Sequence, residues 1–347
     1  VENVGLKYLT APGQWYYDVA AGVVYYYPRP SNEMSTVDVV APVLEQLVNS
    51  TATTNVSWTS FSFQHATWLQ PSQVCGDGTW QALEANLNFK APRNVTFQLC
   101  EFAHLGAAAV YFGGGAHDCL VSSCYFHDIS AAAVQIGDYD TNNMTEPDAQ
   151  ELRNGVVNSL VVHVAAEYHG NVALSVGYSK ATTLAQNTLM DLTYGGISIG
   201  WGWAREQDTY AGSNNILGNR IANYKLLLND GGGSYALGPQ PGSVMAGNYI
   251  TGQHTTTGGG LYPDEGSAGW SLHNNVVAGG CPSCEWLHVW TSSIHDIDIF
   301  DNFVVQENHG TNCPEFNNTI VKPGSPWPPT AQAITGKAGV QPPSPWA

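Results

Sequence analysis

Three acids set among glycines are the residues best suited to chemistry in this chain. Asp230 stands in LNDGGGSYALG, and Asp264 and Glu265 stand together in GGGLYPDEGS. Only 28 of the 347 residues are acidic, so these neighbouring segments are a local concentration of carboxyl groups. Hydrolysis of a glycosidic bond requires two of them. One is protonated and gives its proton to the leaving oxygen; the other is ionised and acts as nucleophile or base. Their separation is about 5–5.5 Å for retention and about 6.5–9.5 Å for inversion. Crowding two acids also keeps one protonated, as a general acid needs. The same residues have an architectural reading, in which Asp230 caps one turn and Asp264 and Glu265 hold another.

Aromatic residues flank the acids: Trp201 and Trp203 in IGWGWAREQ, then Tyr235, Tyr262 and Trp270. Rings of this kind offer an apolar face with a polar edge, on which the faces of sugars stack. Trp201 follows Gly200 as Asp138 follows Gly137, which predicts that both line one edge of the fold. With His169 in AEYHG, the candidate substrate contacts are Trp201, Trp203, Tyr235, Tyr262, His169 and Asp138. The histidines are otherwise scattered, with no HxH or HExxH, so no metal site is expected. No P-loop, dinucleotide fingerprint or GxSxG in suitable context occurs, and no cofactor is expected.

The elements that must position these residues are legible as repeats. QNTLMDL, GNRIANY, GNYITGQ, NNVVAGG and DNFVVQE share one pattern, with Asn187, Asn219, Asn248, Asn275 and Asn302 spaced 27 to 32 residues apart. Cys100 and Cys124 hold the same place in earlier repeats. A second column reads AAVYFG, AAVQIG, VALSVG, GGISIG, GGSYALG and GGLYPDEG. Short β-branched runs bounded by Gly are strands with turn punctuation, and recurrence at such periods means stacked units. The expected fold is all-β: a right-handed parallel β-helix, a pectate-lyase-like solenoid of about nine coils. In such a stack an inward Asn bonds the Asn of the next coil, so the Asn column is assigned to architecture, and Cys100 and Cys124 come close enough for a disulfide. Aligning Tyr235 with Tyr262 puts Asp230 five residues before the tyrosine column and Asp264 two after it, too far apart on a straight strand. The expected organisation is an N-terminal lead-in over 1–50, with a hairpin at QWYYD/VVYYYP and a short helix near Pro42–Val48; the β-helix over 51–321; and a Pro-rich tail over 322–347, read as an extended tether. The longer coils eject loops at Asp138–Arg153, Trp201–Gly212 and Gln253–Gly260, where sites are expected.

The net charge of −17, with 11 Lys plus Arg, argues against nucleic acid or polyuronate as partner. No run is long and apolar enough to span a membrane. Sequons begin at Asn49, Asn55, Asn94, Asn143 and Asn317, and seven cysteines include the CxxC of Cys281 and Cys284. Together they suggest a secreted, glycosylated protein of the cell surface or wall with local disulfides.

The ordered segments GQWYYDVAAGVVYYYP, PVLEQLV, FSFQHATW, LTYGGISIGWGW, LNDGGGSYALG and GGLYPDEGS resemble the parallel β-helix glycoside hydrolases of the β-xylosidase and α-L-fucosidase type. The resemblance runs from about Gly13 to Val305. It implies a retaining mechanism with Asp230 as nucleophile and Asp264 or Glu265 as acid/base. The expected function is a glycoside hydrolase-like protein acting on or binding cell-wall or matrix polysaccharide. The alternative is a non-catalytic structural glycoprotein that self-associates into a filament, and a weaker one is a polysaccharide lyase.

Overall fold

The computed structural model describes residues 5–69, 73–75, 80–82, 84–140, 144–204, 207, 209–281, 283–307 and 312–347. The chain divides into two units, Val1–Ala41 and Pro42–Ala347. In the first, Trp15–Asp18 pairs antiparallel with Val23–Tyr26. Asp18 Oδ1 accepts the Ala21 N–H at 3.0 Å, and Gly22 takes the positive φ (65°) that closes the turn.

The second unit is a right-handed parallel β-helix. Its first coil is Val48–Thr51, Thr54–Thr59 and Ser62–Ala66; its second is Ala85–Lys90, Arg93–Gln98 and Glu101–Leu105. Successive coils pair in parallel, giving three sheets of nine, ten and ten strands among the described residues. Alternate side chains point inward and form rows along the axis. Phe63, Phe102 and Phe126 stack at 5.3 and 4.5 Å. Their row continues as Val161, Leu189, Ile221 and Ile250, all fully buried.

The asparagine column forms a ladder at the corner between the second and third sheets. The side-chain amide of Asn187 donates to Asn219 Oδ1, and so on through Asn248, Asn275, Asn302 and Asn318, each step at 2.9–3.1 Å. The residue before each rung is left-handed: Gln186, Gly218, Gly247, Asn274, Asp301 and Asn317 have φ of 53–67°. That residue turns the chain and aims the next side chain into the core. Ser159, Cys124 and Cys100 occupy the same corner in earlier coils. Cys100 and Cys124 are buried free thiols, so the disulfide considered there is not formed. Each sulfur instead donates to a carbonyl two residues back, Gln98 O and Ser122 O, both at 3.4 Å. Cys281 and Cys284 are joined in a disulfide.

Two further expectations differ from the structure. Residues 42–48 are not helical; Leu47 N–H donates to Asn86 O and Thr67 N–H to Leu44 O, so this backbone bonds across coils rather than along a helix. The tail is not a free tether. After the helix Pro329–Thr335 it runs back over successive coils. Gly339 N–H donates to Gly218 O (2.8 Å), Val340 N–H to Thr188 Oγ1 (3.0 Å), Gln341 N–H to Asn158 Oδ1 (2.7 Å) and Trp346 Nε1 to Ser123 O (2.9 Å).

Candidate functional site

The nine-stranded first sheet carries the site on its outer face. Asp230 lies in the turn between the third-sheet strand Arg220–Tyr224 and the first-sheet strand Ser234–Leu237. Asp264 and Glu265 leave the next first-sheet strand, Gly259–Pro263, at its far end. Tyr235 pairs with Tyr262, so the acids sit at opposite ends of adjacent strands, as the spacing predicts. Glycines let the turn close onto this face. A Cβ on Gly231 would lie 2.6 Å from the Tyr194 ring, and one on Gly233 would lie 2.6 Å from Ile250 and 2.9 Å from Gly260 O. Tyr194 OH donates to the Asp230 carbonyl, and Tyr262 OH reaches Asp230 Oδ1 at 3.3 Å. At the other end, Tyr235 OH donates to Asp264 Oδ2 at 2.7 Å and Trp290 Nε1 donates to Oδ1 at 2.9 Å. The tyrosine rings meet edge to face at 5.0 Å. Each tyrosine therefore serves the acid of the other coil.

Asp264 is only 6% exposed, whereas Asp230 is exposed. Glu265 is half-buried and makes no hydrogen bond or ion pair among the described residues. Burial, then the negative charge of Asp264, pushes the Tyr235 hydroxyl well above its ordinary value. Burial followed by Asp264 and Asp230 does the same to Tyr262, so both acids act on one phenol and keep it a donor. Beside them Lys225 is fully buried, its ammonium donating to Thr257 O. Burial lowers Lys225 to about 8, against the opposing pull of Asp230 and Glu285.

The aromatic wall stands next to this pair. Trp201 and Trp203 meet at 4.7 Å, and Tyr139 meets Trp201 at 4.9 Å. A narrow cleft of about 30 Å³ is lined by Tyr194, Ser198, Trp201, Trp203, Gly231 and Tyr235 among others. Asp138 falls on the same strand end as Trp201, because Ile136, Val176 and Ile199 share one register. Asp138 accepts from Tyr111 OH, and its charge acts on Glu151. Glu151 is 1% exposed and accepts the Gly115 and Ala116 N–H groups; burial nevertheless pushes it up to about 8. His169 lies in the turn after the third-sheet strand Leu160–Val164, its Nδ1 at 3.2 Å from Ala165 O, and bonds neither acid among the described residues. Trp270 belongs to the core, 2% exposed. Asn49, Asn55, Asn94 and Asn317 are exposed, and Asn143 lies outside the described residues.

No family model and no curated protein matches the chain. The fold is shared with a glycoside hydrolase. That solved structure superposes with a TM-score of 0.77 at 20% identity, over 99% of this chain and 61% of the enzyme. The chain thus spans less than two thirds of that enzyme's length, and at this identity the likeness concerns the fold alone. A surface adhesin of Streptococcus pneumoniae aligns at a TM-score of 0.35 and 13% identity, over 77% of this chain and 70% of the adhesin, which carries no argument.

Of the residues expected at the site, the structure brings Asp230, Tyr235, Tyr262 and Asp264 into one network, with Trp201 and Trp203 beside it. Trp290, Tyr194, Lys225 and His288 were not anticipated. His288 packs edge-on to Tyr262 at 4.6 Å, bonded to Glu285. Trp290 stands 26 residues after Asp264, one coil further on, and that period was the available signal. Among the described residues no three His, Cys, Asp or Glu side chains gather as metal ligands.

Proposed function

We propose that the tyrosine-bridged acids form a glycoside-directed active site, and that the chain is a secreted carbohydrate-active protein of the retaining type. One observation carries the reading: Tyr235 and Tyr262, from successive coils, each bond the carboxylate belonging to the other coil. Asp230, exposed at the mouth, suits attack on an anomeric carbon. Tyr262 steadies it from beneath by a hydrogen bond. Asp264 has both oxygens engaged as acceptors, which fixes a charge opposite the developing oxocarbenium ion. Glu265, with neither oxygen engaged, is the group better placed to give a proton to the leaving oxygen and take one from water in the second step. Trp201 and Trp203 supply faces for a sugar ring. The neutral, aromatic wall fits an uncharged or weakly acidic glycan, in keeping with the resemblance to β-xylosidases and α-L-fucosidases.

The test is turnover of aryl xylosides and aryl fucosides by the parent chain and by Asp230→Asn, Asp264→Asn and Glu265→Gln. The expected result is a loss of about 10³-fold or more in kcat for Asp230→Asn, of the order mutagenesis finds for lost electrostatic stabilisation. For Glu265→Gln the expectation is a loss that depends on the leaving group. Full turnover by Asp230→Asn removes that residue from the mechanism. A second reading, a non-catalytic structural glycoprotein, is favoured by the complete engagement of Asp264 by protein donors. It is supported if no glycoside is turned over and Asp264→Asn lowers stability instead.

A further inference from the structure

The last coil of the β-helix is an exposed apolar edge. Glu315–Phe316, Thr319–Ile320 and Glu285–Leu287 are the outermost strands of their sheets, and an outermost strand offers unpaired N–H and C=O groups to another chain. Phe316 and Ile320 are 48% and 49% exposed. Beneath them a recess of about 250 Å³ is lined by Trp286, Val304, Glu315, Phe316, Asn317 and Ile320, with neighbouring polar residues. The asparagine ladder stops here. Asn318 takes the Asn302 amide and is the last rung among the described residues. A coil of a second copy, carrying the same strand pattern, is the occupant that this edge fits.

Asn317 stands at the middle of that edge. It holds the left-handed corner position (φ 56°) between the two outermost strands Glu315–Phe316 and Thr319–Ile320, and it is exposed, while its neighbour Asn318 turns into the ladder. Asn317, Asn318 and Thr319 spell a sequon. Asn49 and Asn55, also exposed sequon residues, lie on Val48–Thr51 and Thr54–Thr59, which are outermost at the opposite ends of their sheets. Asn317 thus falls between two outermost strands, and Asn49 and Asn55 fall on two others.

We propose that Asn317 carries an N-linked oligosaccharide that covers this end of the β-helix and blocks coil-on-coil stacking by a second copy. The donor is a polyisoprenyl pyrophosphate oligosaccharide. The Asn317 amide nitrogen forms a bond to the anomeric carbon and loses one proton to solvent. The bond from that carbon to the pyrophosphate oxygen breaks, and the pyrophosphate leaves with its electron pair. One linked sugar chain at this corner overhangs both strands and holds water over Phe316 and Ile320. The proposal is independent of whether the acid pair is catalytic.

The experiment uses the full chain secreted from a eukaryotic host. Peptide mapping by mass spectrometry reads occupancy at Asn317, and sedimentation velocity reads size. The expected result is an occupied Asn317 on a monomer. Asn317→Gln and Thr319→Ala should both associate in a concentration-dependent manner. Enzymatic removal of glycans from the folded protein should do the same, without any substitution. Adding Phe316→Glu and Ile320→Glu to Asn317→Gln should return the monomer. An unmodified Asn317 in the secreted chain overturns the proposal, and so does a monomer after both substitution and enzymatic removal.

Discussion

Asn248→Ala would cut the ladder at its middle. Asn248 is fully buried. Its amide nitrogen donates to Ile216 O at 3.0 Å and to Asn275 Oδ1 at 2.9 Å, and its oxygen accepts from the Asn219 backbone and side chain at 2.9 and 3.1 Å. Alanine leaves the Asn219 N–H, one Asn219 amide hydrogen and the Ile216 carbonyl without these partners. Each buried group so stranded costs about 1–3 kcal/mol. A water admitted into the vacated space recovers part of this, so the expected loss is about 3–5 kcal/mol. Asn318→Ala, at the half-buried last rung, should cost about 1 kcal/mol, because water reaches the groups it abandons. Reversible urea unfolding, with m compared between variants, measures both. The pair Asn219→Ala with Asn248→Ala should cost less than the sum of the two, because the first removes an amide that the second would strand. An Asn248→Ala variant within 1 kcal/mol of the parent, or equal costs at both rungs, would refute a ladder that holds the core through buried amides.

Glu151 gives a pH dependence of defined sign. Its carboxyl stands at about 8 in the fold against 4.5 for the free group. Its contribution to stability is therefore complete below about 4.5 and is lost as pH rises through about 8, at most about 4–5 kcal/mol at 1.36 kcal/mol per pH unit. Glu151→Gln should flatten the fall in Tm between pH 5 and 8.5, and an unchanged slope contradicts the assignment. Gly233→Ala drives a methyl group against Ile250 and Gly260 O and should destabilise by about 1–3 kcal/mol; a stable variant with the parent's near-ultraviolet spectrum would contradict the packing described. Trp290→Phe removes one donor to Asp264. If the site is catalytic, kcat should fall at least tenfold with Tm nearly unchanged, and loss of Tm alone points to a structural role.

The fold was open to sequence reading because a solenoid writes its geometry as a period. Asn187 through Asn302 recur once per coil, and stacking turns recurrence into a row that neighbouring amides complete. The site was harder to read. The acids are near in sequence pattern, but their cooperation depends on where two phenol groups reach, and Tyr262 OH to Asp230 is a contact across coils that no spacing encodes. The tail misled for a related reason. Pro-rich composition suggests an extended chain over residues 322–347, where the helix Pro329–Thr335 forms instead. It says nothing of the Ser123 carbonyl and the Asn158 amide that bind the tail 223 and 183 residues away. Cys100 and Cys124 were placed in the right column, but carbonyl acceptors two residues back were enough to satisfy their thiols.

A stack of coils is ordinarily a one-dimensional object, in which each repeat feels only its neighbours and melting can travel inward from either end. The returning C-terminal segment changes that connectivity. By gripping Gly218, Thr188, Asn158 and Ser123 in turn, it ties four separate coils to a single peptide. No bound coil can fray alone without the segment being peeled away. A local opening thus becomes a shared one, and the bound coils should melt as one block rather than in succession.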